Sequence, residues 1–167
     1  MRFKKFLIIS LILIGSISVF ADDAGMSQTT ARSREEKKLG MYVSILGDPF
    51  PSIYSVNGAY NINDHFRANL GVGMKFVIAA YGGYTFGGGI KYFFLPNSNF
   101  SPVAGVNLTT IITENPRSGS RSADLMGSTN LGIDWQLASG LDLGAGANLA
   151  ESSGLVVIPY INLGWFF

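Results

Sequence analysis

From Leu39 to the last residue the chain alternates apolar with polar or glycine residues at a period of two, stretch after stretch, and sustains no helical period. Phe66, Ala68, Leu70, Val72, Met74 and Phe76 share one face of such a stretch, and Arg67, Asn69, Gly71, Gly73 and Lys75 share the other. Successive side chains of a strand point to opposite sides, so the pattern specifies strands with one apolar face. It returns with Tyr84, Phe86, Ile90, Tyr92 and Phe94 against Gly83, Thr85, Gly87, Gly89 and Lys91. It returns again with Leu131, Ile133, Trp135 and Leu137 against Asn130, Gly132, Asp134 and Gln136, and with Leu141, Leu143, Ala145, Ala147 and Leu149 against Asp142, Gly144, Gly146 and Asn148. Eight strands are predicted, at 38–46, 52–62, 65–76, 80–94, 100–113, 123–137, 141–150 and 155–167. Most exceed the roughly five or six residues usual in soluble sheets and suit the roughly 9 to 11 that cross hydrocarbon at a tilt.

The fold class expected is therefore all-β: an eight-stranded antiparallel up-and-down transmembrane β-barrel over residues 39–167. A sheet in hydrocarbon pairs all its backbone groups only by closing on itself. At eight strands the interior is just filled by side chains, so an open water channel is not expected. Gly71, Gly73, Gly87, Gly89, Gly105, Gly132, Gly144 and Gly146 fall on the inward face, where glycine relieves crowding and lets a small barrel bend.

The N-terminus reads as a cleaved secretory signal over 1–21: basic Arg2, Lys4 and Lys5, an apolar run from Phe6 to Ile14, then small residues to Ala21, with cleavage before Asp22. An uncleaved membrane helix needs roughly 20 apolar residues, and this run is shorter. The absence of cysteine excludes a lipid-anchored N-terminus and a disulfide framework. Residues 22–38 carry Arg32, Arg34, Glu35, Glu36, Lys37 and Lys38, and are expected to form a polar, solvated periplasmic leader, because such composition cannot bury a core. A net charge of +1 suggests no polyanionic partner.

With the leader in the periplasm, the second, fourth and sixth connections are inner turns. They hold Asn63 and Asp64, residues 95–99, and Ala138, Ser139 and Gly140, which are rich in turn formers. The outward connections are 47–51, 77–79, 114–122 and 151–154. Short inner turns and longer outer loops are the habit of outer-membrane barrels.

Pro159, Ile161, Leu163, Trp165 and Phe167 lie on one face, and the chain stops on an aromatic residue. This ending resembles the signal read by the barrel assembly machinery, with Tyr160, Leu163, Gly164, Trp165 and Phe167 as its carriers. Together with the signal peptide and eight strands, it makes the chain similar to the family of OmpA-like, OmpX-like and opacity-type surface barrels. The phrases Tyr60-Asn61-Ile62-Asn63-Asp64 and Phe100-Ser101-Pro102-Val103-Ala104-Gly105 are also similar to that family. The resemblance implies localisation in the bacterial outer membrane and contact with outer-membrane lipids and with the assembly machinery during insertion. The lack of a basic stripe, of dinucleotide spacing after Gly144-x-Gly146 or a Walker lysine, and of a second histidine beside His65 leads to the expectation of no nucleic acid, no cofactor, and a noncatalytic structural or surface-interaction role. A host or protein ligand stays open, as does a narrow OmpW-like conduit for small apolar solutes. A lipid A-modifying enzyme is a further alternative, as is a soluble lipocalin-like barrel with the faces reversed.

Among inward positions, Arg67, Lys91, Asp134 and Asp142 fall toward the inner end and carry both signs. Buried charges need partners, so a lumen ion-pair network that plugs the barrel is expected, with a selectivity constriction as its alternative. Tyr60, Phe66, Phe94, Phe100, Trp135, Trp165 and Phe167 are expected in the inner aromatic girdle. His65 is the one histidine, beside Asp64 in an inner turn, far from the outer rim where lipid A chemistry belongs. No ligand spacing suggests a metal site. Arg117 and Arg121, in the longest outer loop, are candidates for lipid phosphate contact.

Overall fold

The structure is a computed structural model that describes residues 34–46, 52–75, 82–115, 118–151 and 155–167. The predicted signal peptide, the leader up to residue 33, Arg117 and most of the predicted outer loops lie outside the described residues. Eight strands form one sheet: β1 (Leu39–Ile45), β2 (Tyr54–Asn61), β3 (Phe66–Lys75), β4 (Gly82–Phe93), β5 (Phe100–Glu114), β6 (Arg121–Gln136), β7 (Leu141–Glu151) and β8 (Leu155–Phe166). Each pairs antiparallel with the next, and β8 pairs with β1, so the sheet is a closed barrel. No strand end departs from its expected position by more than two residues. β6 begins earlier than its alternation suggests because Arg121 and Ser122 pair with Glu114 and Thr113 of β5.

The rim formed by β1, the end of β8 and the three short connections is here called the short-turn rim. Tracing partners across the wall from Gly40 passes through Ala59, Asn69, Gly89, Asn107, Ser128, Ala150 and Val156. Continuing the β8–β1 register from Val156 reaches β1's line about ten residues beyond Gly40, a stagger that tilts eight strands by about 40°. β5 and β6 pair out to Glu114↔Arg121, while β6 pairs with β7 only to Ser128↔Ala150. The β5–β6 hairpin therefore stands above its β7 neighbour.

Alternation decides the faces. Leu70, Val72 and Met74 point outward at 57%, 56% and 62% exposure, whereas Asn57, Asn130 and Asn148 point inward and are fully buried. A barrel with amides inside and aliphatic side chains outside fits hydrocarbon and not water. This arrangement rules out the lipocalin-like alternative, which needs the opposite faces.

At the short-turn rim Tyr60, Phe66, Phe100, Trp135, Trp165 and Phe167 are exposed, forming an outward aromatic ring. Phe94 does not join it, contrary to the sequence expectation: it is buried. β4 ends at Phe93, the Phe94 amide continues its register by donating to the Pro102 carbonyl (3.1 Å), and the Phe94 ring packs edge to face on Tyr92 at 5.0 Å. Tyr92 meets Phe66 as well, at 5.1 Å.

Glycines occupy inward places where a neighbouring strand sends a side chain across. A Cβ on Gly40 would come within 2.5 Å of the Phe166 ring, its register partner, and one on Gly105 within 2.5 Å of Asn130 Oδ1. The small residue and the large one share a single space. Gly40→Val is expected to abolish the unboiled, fast-migrating electrophoretic form, since the Phe166 ring has nowhere to go. Leu70→Arg, on the hydrocarbon face, is expected to destabilise the barrel by about 2–4 kcal/mol in denaturant titrations in lipid bilayers.

Candidate functional site

The charged residues that face inward meet at the short-turn rim. Arg67 is the first inward residue of β3, Asp134 and Gln136 are the last inward residues of β6, and Asp142 is the first of β7. The β6–β7 register sets Gln136 beside Asp142 and Asp134 beside Gly144. Gly144 leaves room for the Asp134 carboxylate, which lies 3.6 Å from where a Cβ would stand.

Arg67 crosses the lumen to this pair. Its Nη2 donates to Asp142 Oδ2 (2.8 Å) and Gln136 Oε1 (3.1 Å), its Nη1 to Asp134 Oδ2 (3.3 Å), and its Nε to Asn61 Oδ1 (2.9 Å). The guanidinium also lies over two rings, 4.2 Å from the centroid of Phe166 and 4.7 Å from that of Phe93. Arg67, Phe93, Phe166, Gln136 and Asn61 are all buried. Planar guanidinium suits this combination of forked donation and stacking, which lysine's point charge cannot reproduce.

Lys91 is Arg67's register partner on β4, yet its side chain diverges. Its Nζ lies 5.2 Å from the Tyr42 ring and 5.5 Å from the Tyr160 ring, higher in the lumen. Of the four residues named from sequence, the structure gathers Arg67, Asp134 and Asp142 into one cluster and sets the Lys91 amino group among tyrosines above it.

A second arginine enters from outside the wall. Arg34 lies in a single helical turn, residues 34–36, and is fully buried. Its Nε donates to Gln136 Oε1 (3.1 Å) and its Nη1 to the Pro96 carbonyl (2.9 Å), with its guanidinium 4.2 Å from the Phe93 centroid. Burial pulls its pKa down to about 10, Asp134 pulls it back up and Arg67 pushes it further down, so it remains charged at neutral pH. The expectation of a wholly solvated leader is corrected here. Composition rules out a core made by the leader itself, but not the docking of one residue into a core made by the barrel.

Alternation already carries the inward signal for Phe93, which shares parity with Lys91, and for Phe166, which shares parity with Asn162 and Gly164. Arg34 has no such signal, because it belongs to no period.

The remaining sequence candidates separate. In β8, Tyr160 and Gly164 face inward, Gly164 against Tyr42, while Leu163, Trp165 and Phe167 face out. Arg121 pairs with Glu114 at 3.4 Å, both exposed, at the outer end of the β5–β6 hairpin. The His65 Nδ1–H donates to the Phe93 carbonyl (3.1 Å) and its ring stacks on Tyr92 at 5.4 Å, at the short-turn rim. Among the described residues no three His, Cys, Asp or Glu side chains gather as a metal site. On the outer wall, Val43, Tyr54, Val56, Val72, Tyr84 and Phe86 line an apolar groove of about 620 Å³ in the half away from the short turns.

A closed antiparallel wall, an outward apolar belt and a lumen occupied by its own side chains define a transmembrane β-barrel of the small outer-membrane type. No protein-family model matches the sequence, and no curated protein is similar to it in sequence. Solved structures share the fold. The N-terminal β-barrel domain of Pseudomonas aeruginosa OprF superposes with a TM-score of 0.61 at 14% identity, covering 78% of this chain and 98% of that one. The Yersinia pestis outer membrane protein Ail, in a phospholipid bilayer nanodisc, superposes with a TM-score of 0.50 at 8% identity, covering 78% of this chain and 99% of that one.

Removing one partner of a buried ion pair leaves uncompensated charge at a cost of about 3–5 kcal/mol. Arg67→Met is expected to destabilise the barrel by about that amount in denaturant unfolding. Adding Asp134→Asn and Asp142→Asn to Arg67→Met is expected to recover part of the loss, because the orphaned charges go with their partner.

Proposed function

We propose that this protein is a noncatalytic outer-membrane barrel, exported by a cleaved signal peptide, oriented with its short turns in the periplasm, and closed to solutes. The observation that carries the closed state is Arg67 bridging Asp134 and Asp142 between the rings of Phe93 and Phe166. A buried guanidinium with four hydrogen bonds and two stacked rings is a fixed plug, not a mobile lining. Eight strands leave no second passage around it. This favours the plug over the selectivity constriction and the narrow conduit.

The role is contact at the surface and with lipid. The β5–β6 hairpin, projecting beyond β7, offers Arg121, Ala123 and Leu125 to the exterior. The apolar groove between Tyr54 and Tyr84 offers a seat for the acyl chains of the outer leaflet. Arg121, and Arg117 outside the described residues, would supply phosphate contact, since arginine matches phosphate geometry. The outward apolar positions of β8 ending at Phe167, with Tyr160 and Gly164 between them, would present the assembly signal during insertion. His65 is engaged at the rim opposite the one where lipid A presents its ester bonds, which argues against the enzyme.

Fractionation and electrophoresis with and without boiling test the location and closure together: the protein is expected in the outer-membrane fraction as a heat-modifiable band. Planar-bilayer recordings of the purified protein are expected to show no steady conductance. Recovery as a soluble periplasmic protein would overturn the membrane assignment, and stable single-channel steps would revive the conduit. Hydrolysis of lipid A lost on His65→Ala would establish the enzyme instead.

A further inference from the structure

The mouth at the short-turn rim has the parts of a receptor, and the segment that fills it is not part of the wall. Three regions of the barrel converge on the Arg34 guanidinium: Gln136 at the end of β6, the Pro96 carbonyl in the β4–β5 connection, and the Phe93 ring at the end of β4. Asp134, Asp142 and Asp64 act on it with attractive charge, and Arg67 with repulsive charge. Acidic groups therefore outnumber the arginine that shares the mouth. A flat ring, two oxygen acceptors and surrounding carboxylates make a chemistry selective for a planar, forked cation.

Arg34 and Arg67 are coupled through this mouth. Both donate to Gln136 Oε1 at 3.1 Å, and both lie over the same Phe93 ring, at 4.2 and 4.7 Å. Two like charges sharing an acceptor and a ring persist only while the carboxylates hold both. Arg67 is rooted in β3, but Arg34 is tethered through a short segment. That segment is fastened by Asn61, whose Nδ2 donates to the Lys37 carbonyl (2.9 Å) and whose amide donates to the Lys38 carbonyl (2.8 Å). Lys37 Nζ donates to the Ser139 carbonyl in the β6–β7 turn. Beyond residue 36 the chain is fixed to the rim by contacts with backbone carbonyls, and Arg34 anchors the start of the helical turn in the mouth.

We infer that the short-turn mouth is a guanidinium-recognition site, occupied by Arg34 of the chain's own leader, which acts as a detachable latch beneath the Arg67 plug. That this mouth faces the periplasm rests on the orientation proposed above; the site does not. Releasing the latch exposes the Phe93 ring, the Pro96 carbonyl and Gln136 to the solution on that side, while the wall and the Arg67 plug stay in place.

Chemical rescue tests it. Arg34→Ala in the full chain, refolded in detergent micelles, is expected to keep the heat-modifiable form and to melt several degrees below the wild type. Millimolar methylguanidinium chloride is expected to restore part of that loss in the variant and leave the wild type unchanged. Methylammonium chloride at equal ionic strength is expected to restore nothing. A variant that melts with the wild type, or one that answers both salts alike, would overturn the site. If Arg34→Ala fails to fold, Arg34→Lys supplies the test: it is expected to melt below the wild type, because an ammonium cannot reproduce the forked donation and stacking of the guanidinium, and a melt equal to the wild type's would overturn the site. Neither readout depends on conductance or on cellular location, so failure of the latch leaves the closed-barrel reading standing and the reverse holds as well.

Discussion

A backbone amide facing hydrocarbon has no water to pair with, and each one left open costs several kcal/mol. A strand in a membrane must therefore have two neighbours, and a chain with a finite number of strands can satisfy that only by joining the last to the first. The β8–β1 pairing from Gly40↔Phe166 to Ile45↔Ile161 is this closure. Once the wall is closed, the two faces of every strand meet different surroundings. Leu163 and Trp165 are exposed on the outer face, and Asn162 and Gly164 are confined in the narrow lumen.

Confinement explains the lumen. Side chains from eight strands converge on one axis, so several large residues take the space that a glycine on the partner strand leaves, as Phe166 does at Gly40 and Asn130 at Gly105. The polar groups there also lose most of their water and must find each other. Arg67 answers this with donors to Asp134, Asp142, Gln136 and Asn61, and with aromatic faces on either side. Such a cluster contributes less to net stability than its contact list suggests, because desolvating three charges offsets much of their attraction. Its consequence lies in specificity: a carboxylate pair in this position accepts one arrangement of the rim. The same need for partners draws Arg34 out of an otherwise polar leader.

Much of this was legible before the fold was known. Period-two alternation assigned every strand to within two residues of its bounds and sorted Leu70 from Asn69 and Leu163 from Gly164. Because the side-chain period is two, an error of one residue would have put every side chain on the wrong face. Charge and parity likewise marked Arg67, Asp134 and Asp142 as inward residues near one end. Phe94 differs from the expectation because parity gives a residue's face but not its exposure: its ring packs on Tyr92 at the strand end and is buried there. Parity puts Lys91 on the correct face, yet its direction up the lumen toward Tyr42 and Tyr160 depends on neighbours three and four strands away.

The sequence by itself determined the number of strands, their faces and the closed wall, because those follow from local periodicity and from the rule that hydrocarbon leaves no backbone group unpaired. Only the tertiary structure decided which charges meet, that Phe93 and Phe166 flank Arg67, and that Arg34 fills the mouth. The contacts join residues far apart in sequence: the Arg34 hydrogen bonds span 62 positions to Pro96 and 102 to Gln136. Their partners are set by barrel stagger and by space left at glycines, and neither quantity is a property of any one segment.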